Sequence, residues 1–81
     1  MSEQVTVVHT VWVNGRDANG EVVYRVGGYH VPEDWSVHDP TLVNAKDHRD
    51  EMTVKNPGLR YTVEVKVETT TVDTQSFPID L

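Results

Sequence analysis

The sequence predicts an α+β chain, mainly β: a single antiparallel sheet of two β-hairpins joined by a segment with one short helix. Three observations predict it. Residues 5–31 hold two β-branched runs around a turn cluster, and residues 60–68 alternate strictly between apolar and polar. Between them, Asp39-Pro40 opens a helical spacing of apolar side chains. At 81 residues the chain makes one domain: a hairpin at 5–31, a loop and short helix at 32–51, a hairpin at 52–68 and a tail at 73–81.

Val5 to Val13 is β-branched and aromatic apart from His9, which suits a pleated, half-buried surface. Apolar residues occupy both of its faces, with Val8 and Trp12 on one and Val5, Val7, Val11 and Val13 on the other. That pattern predicts a central strand covered twice. Asp17-Ala-Asn-Gly20 fits a type I turn closed by a left-handed glycine. Carried through without interruption, this turn sets Trp12 opposite Val26, His9 opposite Tyr29 and Val8 opposite His30. Gly27-Gly28 then makes room for the Trp12 ring, or else leaves bare backbone for a ligand. A core position for Trp12 predicts ~3–5 kcal/mol for its truncation to alanine.

Pro32 ends the second strand because it has no N–H to donate. Trp35 in the following polar turn either closes the core or stands out as an anchor. Asp39 as N-cap and Pro40 at the first helical position start a helix over roughly residues 40–50, with Leu42, Ala45, Arg49 and Met52 on one stripe. Asp47 and Glu51, four apart and of like charge, oppose it slightly.

Met52 to Lys55 and Arg60 to Glu68 read as the second hairpin, across a type II turn at Asn56-Pro-Gly-Leu59. Tyr61, Val63, Val65 and Val67 face the core while Thr62, Glu64, Lys66 and Glu68 face water, which predicts a strand that covers or flanks the core and does not cross its centre. In the tail, Phe77, Ile79 and Leu81 alternate and share one face when extended.

Composition narrows the function classes. The net charge is −6, and the seven basic residues are scattered, which argues against nucleic acid. The absence of cysteine excludes disulfides, thiolate catalysis and cysteine-based zinc sites. No apolar run approaches a membrane span and no basic leader opens the chain, so a cytoplasmic location is expected. Counted with glycine and without tyrosine, about 40% of the chain is apolar, against ~45–50% on average. The deficit points to a sheet with limited cover, or to a partner that supplies the rest.

Chemistry-bearing patterns are sparse. His30, His38 and His48 stand eight and ten residues apart, too far for the paired spacing of zinc sites. No nucleophile elbow and no glycine-rich phosphate loop occurs. The expectation is therefore a non-catalytic module, without cofactor or metal, that binds another protein through a sheet face or edge. Its partner is a different protein or a second copy in a homodimer. Tyr29, Trp35, Phe77 and Ile79 are the candidate partner-binding residues. Two alternatives stand beside it. One is a structural component of a larger assembly, such as a virus particle, whose tail adds a strand to a neighbour. The other is a small metal-dependent or acid–base enzyme around His9, Tyr29 and His30.

Overall fold

The computed structural model describes residues 7–69 and 74–79. Four strands and one helix follow in the order β1 (Val7–Arg16), β2 (Val22–Val31), α1 (Pro40–Lys55), β3 (Arg60–Thr69) and β4 (Thr74–Ile79). All strand pairs are antiparallel, in the spatial order β2-β1-β3-β4. Two hairpins thus lie side by side in one open sheet, joined by a segment that carries the helix. This is the α+β, mainly β architecture expected. Val5 and Leu81, at the outer ends of the expected first strand and tail, lie outside the described residues.

The first turn forms as its residues dictate. The Gly20 N–H donates to the Asp17 carbonyl, Gly20 takes φ 81°, and the Asp17 carboxylate accepts from the N–H groups of Asn19 and Glu21. The expected register survives only at Arg16–Val22. Two bulges in β2 then shift it: Val23 is skipped between Arg16–Val22 and Gly15–Tyr24, and Gly28 between Trp12–Gly27 and Val11–Tyr29. Trp12 therefore faces Gly27 instead of Val26, and His9 faces Val31 instead of Tyr29. Contact between Trp12 and the glycine pair is retained, because a Cβ on Gly28 would stand 3.1 Å from the indole ring.

The helix is longer than expected and the second hairpin is displaced. Asp39 caps α1 by accepting from the Thr41 N–H at 2.9 Å, with Pro40 in the first turn. Residues 52–55 continue the helix and do not form a strand. Met52 reaches the core from the last turn, Lys55 pairs with Glu51 at 2.6 Å, and the Asn56 N–H satisfies the Met52 carbonyl. The β-branched Thr53-Val54 pair reads locally as strand, but Val54 is 83% exposed and packs on nothing that would reward extension. The hairpin following the helix is β3–β4. Across 56–59 the chain turns with an N–H of Leu59 on the Asn56 carbonyl, and Gly58 lacks the positive φ of a type II turn.

The core is one layer thick. Val11, Val13, Tyr61, Val63 and Val65 on the sheet and Leu42 on the helix are buried, and Trp35, Ala45, Met52 and Ile79 pack around them. Gly15 lies under Tyr61, whose ring would meet an added Cβ at 2.8 Å. Interior placement of β3, between β1 and β4, corrects the expectation that it covers or flanks the core without crossing its centre. Its amphipathic pattern is equally that of an inner strand in a sheet covered on one face.

β1 is central, as expected, but only the helix face has a second layer among the described residues. The other face is closed by its own polar side chains. Arg16 donates to both carboxylate oxygens of Glu64, at 3.2 and 3.1 Å, and Thr62 and Ser76 also bond that carboxylate. Glu64 is only 5% exposed, although strict alternation sends it to water. Trp12 lies on this face, half-buried, with its Nε1–H on Thr10 Oγ1 and the Arg25 guanidinium 4.0 Å above its ring. Truncation to alanine therefore removes less buried area than at a fully enclosed tryptophan. The expected loss is ~2 kcal/mol, below the core value. A thermal melt of Trp12→Ala checks it.

Burial of the Glu64 carboxyl works to raise its pKa. Hydrogen bonds from Asn14, Thr62 and Arg16, with the Arg16 charge, outweigh that and hold it below the usual carboxylate value. A depressed folded-state pKa gives stability that is present above the unfolded value and lost as pH falls through the folded one. The protein should therefore lose stability on acidification below about 4.5, and Glu64→Gln should flatten that loss. Urea melts of both proteins at neutral pH and on the acid limb measure it; parallel curves would contradict it.

Candidate partner-binding edge and cleft

The two outer strands differ in how they meet solvent. β4 is six residues long and carries Pro78, two features that discourage pairing with another chain. β2 is ten residues long, with no proline, no lysine and one charge, Arg25, which is folded over Trp12. Its bulges leave two regular stretches, Tyr24–Gly27 and Tyr29–Val31. Val22, Val23, Val26 and Tyr29 are exposed, Tyr29 at 67%.

A cleft of about 490 Å³ runs along this edge. It exists because α1 lies across β1 and β3 and makes few contacts with β2. Val11 and Val13 form its floor, Val26, Gly27 and Tyr29 one wall, and Thr41, Asn44 and His48 the other. Tyr24 closes one end: its hydroxyl meets His48 Nε2 at 2.7 Å and its ring stands edge-on to Tyr61. The cleft thus offers an apolar floor with a few polar groups on its rim.

The four expected partner-binding residues are not brought together. Tyr29 lines the cleft, exposed as an anchor should be. Trp35 instead packs on the core, held by a turn in which its N–H meets the Pro32 carbonyl. Phe77 and Ile79 lie on β4, three strand spacings or about 14 Å from β2. Phe77 is 38% exposed and Ile79 packs on the core.

Residues 74–79 pair with β3 of the same chain, so this part of the tail is not a free strand for a neighbour. His9 and His30 fall on opposite faces of the sheet, since His9 pairs with Val31 and His30 with Thr10. The grouping of His9, Tyr29 and His30 is therefore not formed. His9 Nδ1 is buried without a hydrogen-bond partner.

The residues missed were Tyr24 and His48. Tyr24 shares the cleft wall with Val26, two residues on, and His48 follows Ala45 by one helical turn. Both spacings are present in the sequence, but their meeting depends on where α1 crosses the sheet. Among the described residues, no three His, Asp or Glu side chains converge as metal ligands, and no helix is long and apolar enough to cross a membrane.

Fold and cleft together define a two-layer α+β domain with one long open strand edge. No family model matches the chain, and no curated protein or solved structure is significantly similar to it.

Proposed function

We propose that the protein is a non-catalytic interaction module that takes up an extended segment of a protein partner along β2. The segment adds a strand to the sheet edge, and alternate side chains of that segment enter the cleft beside α1. The observation that carries this reading is the contrast between the edges. β4 is short and bears a proline, whereas β2 is long, apolar and bordered by an open cleft. Main-chain hydrogen bonds supply affinity in this mode, and the cleft with Tyr29 at its rim supplies selectivity. The cysteine-free composition supports action in the cytoplasm.

Photo-crosslinking tests the reading. A photoreactive amino acid in place of Tyr29 should capture a partner inside the native host, and the same group in place of Val54, on the outer side of α1, should not. Equal capture from both positions, or capture only from Phe77 on the far edge, contradicts it.

A further inference from the structure

We infer that the partner strand carries basic side chains at its ends, and that the acids selecting it also keep two copies of this chain from pairing through the same edge. This rests on the edge-pairing reading of β2.

The charges around β2 are arranged unevenly. Glu21 directly precedes the strand, and Glu33 and Asp34 follow it just beyond Pro32. All three are exposed and form no ion pair among the described residues. Asp17 adds a further carboxylate at the Glu21 end, where it holds the turn. Within the strand, Arg25 keeps its charge but lies over Trp12 on the sheet face away from the cleft. On the cleft side the edge is therefore apolar along its middle, with carboxylates at both ends.

The same arrangement bears on self-pairing. A two-fold antiparallel β2–β2 contact places the start of one strand beside the end of the other. Glu21 of each copy would then approach Glu33 and Asp34 of the other, twice over, in a chain that already carries −6. In an edge strand without lysine or proline, the acids add to its two bulges as a guard against its own kind. Like charges repel identical copies and attract a basic partner, so one arrangement does both.

The test pans a library of random twelve-residue peptides against the full chain at low salt. It is repeated on the charge-swapped variant E21K/E33K/D34K, whose fold is checked by its amide spectrum. Asp17 is left in place because the turn depends on it. Enriched peptides should alternate apolar residues between lysine- or arginine-bearing ends, and should shift the amides of residues 22–31. Their affinity should fall about tenfold or more on the swapped chain and weaken steeply with salt.

Peptides that shift the β2 amides but show no basic excess, and bind both proteins equally, overturn the inference and leave edge pairing standing. Peptides that map away from β2 overturn edge pairing itself. Sedimentation supplies the second arm. E21Q/E33Q/D34N should self-associate at concentrations where the parent is monomeric, whereas a parent that is already a β2-paired dimer overturns the inference.

Discussion

Gly27→Ala is expected to cost about 3 kcal/mol or more, enough to unfold much of a chain whose total stability is on the order of 5–10 kcal/mol. Two faults coincide at this position. Gly27 takes φ 132°, where side chains are strained. A Cβ would also stand 2.5 Å from the Val11 carbonyl oxygen and 2.9 Å from Trp12 Cα. Both are backbone atoms of the central strand, so relief requires β2 to move away from β1. Gly20 separates the two faults. Its φ is 81°, but nothing lies within 4 Å of an added Cβ. Gly20→Ala should cost only the conformational part, about 1 kcal/mol. Thermal melts of the pair check the difference, and equal losses would mean that the close approach of β2 to β1 is not as described.

Leu42→Ala should be nearly as damaging, at about 3 kcal/mol. Leu42 is the one fully buried residue of α1, at 0% exposure, and it fixes the helix on Val11, Val63 and Val65 through their shared core. A loss of that size lowers the melting temperature by more than about 10 °C for a domain this small. Because α1 forms one wall of the cleft, chemical shifts of Asn44 and His48 should move in the same variant. Val54→Ala is the matched control. At 83% exposure it should stay within about 0.5 kcal/mol of the parent, helped by the better helix propensity of alanine. A large loss from Val54→Ala would place the outer side of α1 against something.

Local chemistry was legible at most positions where one residue type decides the conformation, though not at Gly58, which lacks the positive φ expected of it. Asp17 and Gly20 make their turn, Asp39 and Pro40 start the helix, and Pro32 follows the last residue of β2. The stacking of Trp12 on Gly28 was legible too, since an indole beside bare backbone has an obvious place to lie. Register was not. The bulge at Val23 leaves no mark in a run of valines, and the glycine pair signals an irregularity without saying which residue drops out of the ladder. The far end of the helix was hidden because Thr53 and Val54 favour strand, while Met52 and the Glu51–Lys55 pair hold the helix from outside that window.

The candidate site was legible only at Tyr29. Alternation marks Glu64 as solvated, but its own strand and both neighbouring strands roof it with hydrogen-bonding side chains that no single segment reveals. Tyr24 and His48 stand 24 residues apart and meet because the helix crosses the sheet off centre.

Amide hydrogen exchange on the free protein addresses the open edge most directly. From His9 to Arg16 β1 pairs on both sides, so its amides there should exchange slowly. About half the amides of residues 22–31 should instead exchange rapidly, those turned away from β1, in alternation with protected neighbours. If every amide from Val22 to Val31 proved as protected as those of β1, the edge would already be covered. β2 would then have no place for a partner.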